Sequence, residues 1–546
     1  MLVAKAFARA LGEYGHSVLF GLMGNTNMAL ITSFMEQDGC RYIAVANECA
    51  AVTMASGYAQ VSGTVGLVTV IKGPGLTNTL TALCDAARAK VPIVVIAADK
   101  ATSVRDKDDL QYVPQRDFVI PTGAGFEQVR SPETALQDLW EARRRAIAES
   151  RPVVLDVPTD YTNVEIDYES PLPYPAAVGR TVPNPDELDV ALGVIATARC
   201  PLILAGRGAV TQSSREAILR LSKRLGAPLA TTLRAKDLFR GEPGNLGIFG
   251  TLASDKASAA IAQADCIITF GSSLNYRTTD TGGLLRDKAV VQCDINRAII
   301  GQGATIQAGV VGDAGAVADA MVSYLDEMEA TATSFLSSVE GAPTAWTAPA
   351  PAARIPNTVD FLDALRIVEA SVPDNRVLTV DNGRFMYSAY KWFRVPEPRS
   401  YVHTASVGSI GLGLGHAIGA ALAAPGRPTL LVTGDGGFMN GGVAELRTAV
   451  NAGVDLIVVI MNDSAFGAEH RRMVAHGVDP APSTFNWPSF ADVGAALGTQ
   501  GWSVTDQESL KKIPEVIANR TGVLVIDIRL DPAAIVTGST PAAPGT

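Results

Sequence analysis

The chain has 546 residues, 47% of them hydrophobic and 18% charged, which is enough apolar material for several domains with cores of their own. A formal net charge of −10 and a pI near 5.2 argue against nucleic acid or an anionic membrane as the principal partner. The six cysteines (Cys40, Cys49, Cys84, Cys200, Cys266 and Cys293) are scattered without a CxxC pair, which predicts reduced core residues in a cytoplasmic protein. Lys5, Arg9 and Glu13 interrupt the apolar amino-terminal run, and no later stretch is charge-free for the length of a bilayer, so neither a signal peptide nor a membrane span is expected.

Residues 41–46 read as a strand running into Asn47-Glu48 and then an unusually apolar helix over 49–61, which puts the Glu48 carboxylate where little water reaches. A lone buried Glu is costly and fits acid–base work, although an acid at a helix start is also an ordinary stabilising feature. Residues 66–71 predict a strand, followed by Lys72-Gly73-Pro74-Gly75-Leu76-Thr77-Asn78, a tight glycine-rich turn opening another helix. Further strands are expected at 92–97 and 152–157, then at 201–205, 266–270 and 290–295, and finally at 376–380, 428–433, 455–461 and 523–528. Proline-rich stretches at 167–187 and 341–356 divide the chain into candidate domains 1–168, 186–337 and 357–536. Strands alternating with helical patterns in each part imply an α/β protein of three doubly wound parallel-sheet domains. No short-period repeat is visible, and the tail after Thr537 is expected to be disordered.

The last part carries the sharpest chemistry. The strand at 428–433 delivers Gly434-Asp435-Gly436-Gly437 to the carboxyl edge of a sheet, where glycines let backbone N–H groups approach an anion. A helix over 443–452 returns the chain, and the strand at 455–461 ends in Asn462 and Asp463. Oxygen ligands at two neighbouring strand ends suit Mg²⁺, which takes few protein ligands and leaves the rest to phosphate and water. Gly434-Asp435-Gly436 alone is a weak signal, more often an ordinary strand-to-helix turn. A nicotinamide-dependent oxidoreductase would need GxGxxG after a strand, and in Gly411-Leu412-Gly413-Leu414-Gly415 the final glycine position is taken by His416.

Together, Glu48, the Gly73-Pro74-Gly75 turn and the segment from Gly434-Asp435-Gly436 to Asn462-Asp463 resemble the thiamine-diphosphate-dependent enzymes of the acetolactate synthase, pyruvate decarboxylase and benzoylformate decarboxylase superfamily. The resemblance spans Val3 to about Ile535. Asn462 and Asp463 lie 27 and 28 positions beyond Asp435, where the family carries an Asn pair. The resemblance implies Mg²⁺ held by Asp435, by Asp463 as the second of that pair, and by the carbonyl of Ala465, with Phe466-Gly467 matching the aromatic-Gly that follows. Asn462 is the other candidate ligand. It further implies an amino-terminal aminopyrimidine-binding domain, a middle domain and a carboxy-terminal diphosphate-binding domain. Active sites would lie between subunits, in a homodimer or homotetramer.

In this resemblance Glu48 hydrogen-bonds the aminopyrimidine ring nitrogen. Gly408, Ser409 and Ile410 form the cofactor-bending turn, and Gly383, Arg384 and Phe385 match a second diphosphate-contacting loop. Asn25, Ile71, Lys72 and Gln115 would line one side of the substrate pocket, with Ala468, Glu469 and His470 on the other. Glu469 matches a catalytic glutamate of decarboxylases, and Gln115 the pocket glutamine of acetolactate synthase. Of the five histidines only His16 precedes His403, so the paired histidines of simple decarboxylases are missing. The segment from Gly271 to Arg277 departs from the family's flavin-holding segment, which leaves FAD open. The expected activity is decarboxylation of a 2-oxo acid with carboligation to a carbonyl acceptor. Release of an aldehyde by a decarboxylase or hydroxyketone lyase is the alternative, and a silent regulatory homologue is the non-enzymatic one.

Overall fold

The computed structural model describes residues 1–104, 107, 110–170, 179–339 and 355–533. Residues 171–178 of the first proline-rich stretch, 341–354 of the second and the carboxy-terminal tail from 534 lie outside the described residues.

Three six-stranded parallel sheets organise the chain. The first contains β1 (Val18–Gly21), β2 (Arg41–Ala44), β3 (Gly66–Val70), β4 (Ile93–Asp99), β5 (Gly125–Gln128) and β6 (Pro152–Pro158), in the order β2-β1-β3-β4-β6-β5. The second contains β7 (Pro201–Ala205), β8 (Leu229–Thr231), β9 (Asn245–Ile248), β10 (Cys266–Phe270), β11 (Ala289–Asp294) and β12 (Ala308–Val311), in the order β12-β11-β10-β7-β8-β9. The third contains β13 (Val377–Val380), β14 (Tyr401–His403), β15 (Thr429–Gly434), β16 (Leu456–Asn462), β17 (Gln500–Val504) and β18 (Val523–Arg529), in the order β14-β13-β15-β16-β18-β17. The first and third sheets therefore have the same strand order when each is counted from its own first strand.

The chain forms two compact units. One holds Met1–Ala176, Pro351–Phe393 and Val402–Thr546, and so combines the first and third sheets; the other holds Ala177–Ala350 and Arg394–Tyr401. Within the first unit a single core runs through both sheets, joining Phe20, Met54 and Val95 to Ile418, Leu431 and Val458. Each such side chain contributes roughly 1.5–3 kcal/mol when fully buried. The helix Glu48–Ser62 follows β2, and the helix Gly413–Ala423 occupies the equivalent place after β14; the two pack against each other. Both are apolar all round because both are enclosed. Small residues set their approach: a Cβ on Gly57 would fall on the His416 carbonyl, and one on Gly419 on the Met54 carbonyl.

Most expected strands appear within a residue or two of their sequence-based bounds. Residues 435–441 are helical directly after β15, and a further helix runs over Gly413–Ala423. Among the strands not anticipated, β1, β5, β8, β12 and β14 have only three or four residues, too few to show periodicity, and β17 has five that are mostly exposed. The six cysteines are unbridged. Among the described residues no helix is long and apolar enough to cross a membrane.

Candidate active site

In doubly wound sheets a ligand settles beyond the carboxyl ends of the strands, where the winding direction reverses. In the third sheet that point lies between β13 and β15. A cavity opens there. Asn382, Gly383, Arg384 and Phe385 leave β13, residues 434–437 leave β15, and Asp463 follows β16. Ile410 closes one side, and residues 465–469 close another. Crowding makes glycine necessary: a Cβ on Gly436 would meet the Phe466 ring, and one on Gly467 would meet the Asp463 carboxylate.

Asp435 and Asp463 are both buried at the wall of this cavity. The backbone N–H of Ala465 lies 3.1 Å from Oδ2 of Asp435 and 3.2 Å from Oδ1 of Asp463, bridging the two. The indole N–H of Trp487 donates to the same Oδ2 of Asp435 at 2.9 Å. Burial pushes the Asp435 carboxyl well above the ordinary carboxylate range, and the charge of Asp463 pushes it further. Burial also raises Asp463, opposed chiefly by the Arg384 guanidinium, whose Nη2 lies 2.8 Å from Oδ2. Two desolvated carboxylates side by side are unfavourable as bare anions, and a divalent cation reverses that preference. Among the described residues no group of three or more His, Cys, Asp or Glu side chains is placed to hold a metal. A carboxylate pair with glycine-lined space beside it fits Mg²⁺, which draws its remaining ligands from phosphate, carbonyl and water. Asn462 is engaged elsewhere: its amide donates to Asp527 Oδ1 at 2.7 Å, and its oxygen accepts from the Ser464 N–H at 3.1 Å. Asp463, not Asn462, lines the cavity.

The turn bearing Gly408, Ser409 and Ile410 is held at both ends by buried acids. Asp85, on the helix Leu80–Arg88, accepts from the backbone N–H groups of Ser406 at 2.9 Å and Val407 at 3.1 Å. Asp381 accepts from the Gly411 N–H at 3.0 Å and the Thr433 hydroxyl at 3.1 Å, while the Asn382 amide donates to the Ser409 carbonyl at 2.7 Å. Burial pushes Asp381 up to about 6 against the pull of these donors. Gly408 and Gly411 adopt φ of +78° and +87°, which side-chain-bearing residues resist. Ile410 reaches the cavity, whereas Gly408 and Ser409 do not line it.

At the matching edge of the first sheet, Glu48 opens the helix after β2 and is only 6% exposed. Its Oε2 accepts from the Asn78 amide at 2.9 Å, and Gly75 keeps the space beside Oε1 clear. The segment leading to Glu48 is held by Glu445, whose Oε1 accepts from the N–H groups of Ala46 and Asn47, both at 3.0 Å. The arrangement is reciprocal. An acid on a helix following β3 holds the segment after β14, and an acid on a helix following β15 holds the segment after β2. Glu48 does not line the cavity of its own chain that contains Asp435.

The expected substrate residues separate into groups. Asn25 and Lys72 line a different cavity, together with Thr26 and Gln111. The Ile71 side chain packs beside Gly24 and Gly75. Gln115 is buried; its oxygen accepts from the Gly73 N–H at 2.8 Å, and its amide donates to the Ala98 carbonyl at 3.1 Å and to Asp156. It braces the glycine turn and does not present its amide to an open pocket. Ala468 and Glu469 line the Asp435 cavity. His470 was expected beside them but turns inward, its Nδ1 lying 3.2 Å from the Ser483 hydroxyl. Asp85, Asp381, Glu445 and Trp487 were not anticipated, and nothing adjacent to them in the chain marks them.

Three family models match in succession: the thiamine pyrophosphate enzyme N-terminal TPP binding domain over residues 1–118, the central domain over 188–321, and the C-terminal TPP binding domain over 381–528. Similar curated proteins cover nearly the whole chain. A sulfoacetaldehyde acetyltransferase of Alcaligenes xylosoxydans xylosoxydans is 29% identical over 92% of this chain and 88% of its own. A "Probable 2-ketoarginine decarboxylase" of Pseudomonas aeruginosa is 29% identical over 97% and 94%. An acetolactate synthase large subunit of Haemophilus influenzae is 26% identical over 97% and 94%.

Proposed function

The chain belongs to the thiamine pyrophosphate-dependent enzymes, and from that premise we propose that it is a Mg²⁺-requiring cytoplasmic enzyme that decarboxylates a 2-oxo acid and passes the acyl fragment to a carbonyl acceptor, in the manner of acetolactate synthase. The observation that supports this reading best is the buried Asp435–Asp463 pair facing a glycine-lined cavity at the reversal point of the third sheet. Bound thiamine diphosphate supplies the nucleophilic carbon and the sink for the electrons left when CO₂ departs. The chain's own groups do the rest. Asp435, Asp463 and the Ala465 carbonyl would hold the Mg²⁺, and the backbone of residues 434–437 gives a diphosphate close approach. Glu48 would hold a proton at the aminopyrimidine ring nitrogen, in a buried site that would strengthen the bond. Glu469 brings a carboxyl to the rim, where it can hold or move a proton on the substrate.

Because Glu48 stands apart from the Asp435 cavity of its own chain, a second copy supplies it in this reading, and a homodimer is the smallest active form. Transfer is favoured over simple aldehyde release by the missing histidine pair and by relatives named as an acetyltransferase and a synthase. The test is a panel of 2-oxo acids, with and without an aldehyde or ketone acceptor and with and without FAD. CO₂ and hydroxyketone are measured before and after thiamine diphosphate and Mg²⁺ are stripped. Hydroxyketone formed only by the loaded enzyme is the expected result, and full turnover by stripped protein refutes the reading. Glu48→Gln should bind cofactor yet lose most activity.

A further inference from the structure

Arg384 stands on the wall of the Asp435 cavity where a diphosphate-contacting loop is expected, and its guanidinium is engaged by groups of the protein. It is 8% exposed; its Nη1 donates to the Pro532 carbonyl at 2.7 Å, and its Nη2 lies 2.8 Å from Oδ2 of Asp463, which is itself 7% exposed. Gly467 permits this approach, since a Cβ there would fall on Asp463 Oδ2 and crowd Arg384 Nε. Asp463 takes the place where the family motif has a neutral Asn, so it adds one negative charge to a site that must also accept a diphosphate. A buried carboxylate without a counter-charge is expensive, and a guanidinium with directed donors is well suited to offset it.

We propose that Arg384 is the charge partner of Asp463 and a positioning residue of the metal site: the Arg–Asp pair does as a unit what a neutral Asn does alone, and Arg384 acts on cofactor binding through Asp463, not by contact with the diphosphate. The pair holds the outer oxygen of Asp463 and leaves the other, beside the Ala465 N–H, on the side of Asp435. This rests on the proposed thiamine diphosphate and Mg²⁺ site.

A double-mutant cycle tests it, with wild type, Arg384→Gln, Asp463→Asn and the double variant. Calorimetric titration gives thiamine diphosphate affinity at saturating MgCl₂ and MgCl₂ affinity at saturating thiamine diphosphate. Thermal melting of the cofactor-free proteins gives stability. Arg384→Gln alone should weaken Mg²⁺ binding by roughly 10–100-fold and lower the melting temperature. Asp463→Asn alone should also lower it, by stranding the buried guanidinium. The double variant should melt near wild type and bind both probes within about threefold of it. A double variant as weak for thiamine diphosphate as Arg384→Gln would place Arg384 on the diphosphate and overturn the proposal, as would additive losses in melting temperature. Wild type that binds neither probe would defeat the functional reading instead, and the melting cycle would still decide whether the two residues act as a pair.

Discussion

Removing the carboxylate of Asp85 should loosen the turn leading to Ile410, which lies more than three hundred residues away in the chain. Asp85 is fully buried, and its Oδ1 accepts from the N–H groups of Ser406 and Val407, immediately before Gly408. Its Oδ2 lies 3.7 Å from His416 Nε2 on the helix after β14. A hydrogen bond to a charged group is worth about 1.5–3 kcal/mol, so Asp85→Ala, which takes the acceptor from two half-buried backbone donors, should cost about 3–5 kcal/mol. Relief from burying a charge offsets a small part of that. Asp85→Asn keeps an acceptor in place and should cost less than about 2 kcal/mol. Ordering one residue's backbone costs about 1–2 kcal/mol, so a turn loosened by a single residue should bind thiamine diphosphate roughly tenfold more weakly in the Ala variant. Urea unfolding of the cofactor-free protein and calorimetric titration measure the two effects. A loss below about 1 kcal/mol, equal losses for Ala and Asn, or unchanged affinity would refute the clamp.

Three other outcomes follow from the same geometry. Trp487→Phe removes one of two donors on Asp435 Oδ2 and should weaken Mg²⁺ binding by roughly 10–100-fold, read by calorimetry; unchanged affinity would show that the indole does not orient the carboxylate. Gly419→Ala drives a methyl onto the Met54 carbonyl and should lower stability by about 1–3 kcal/mol or more, where an exposed helix position would gain; a neutral melting temperature would mean that the two helices part easily. Asp156 is raised by burial and then by the charge of Asp99, so the folded protein keeps a proton that the unfolded chain has lost above the ordinary carboxylate range. Stability from this group should therefore fall as pH rises from about 4 toward and past neutrality, and Asp156→Asn should flatten the decline of melting temperature with pH; an unaltered slope would rule the group out.

What could be read from the chain, and what could not, divides on physical lines. Central strands such as β7 and β10 are continuous apolar runs enclosed on both faces, and their bounds match expectation residue for residue. Asp435 could be singled out because its neighbours are glycines, a local anomaly with a local reason. Asp85, Glu445 and Trp487 carry no such mark, since each is defined by a partner distant in sequence. Gln115 shows the same limit from the other side. An amide suited to a pocket turns out to be consumed by Gly73, Ala98 and Asp156, and only the tertiary fold decides which of these an amide meets. The duplication of strand order between the first and third sheets is likewise invisible as a sequence repeat, because topology constrains the pattern of apolar residues and leaves their identity free. What the duplication preserves is placement. Each half sends one acid from a helix after its third strand to hold the segment after its partner's second strand, and those two segments lead to Glu48 and to Ile410. Each half's contribution to the chemistry is therefore positioned by the other, so the shared core that joins the two sheets is a condition for the site as well as for stability.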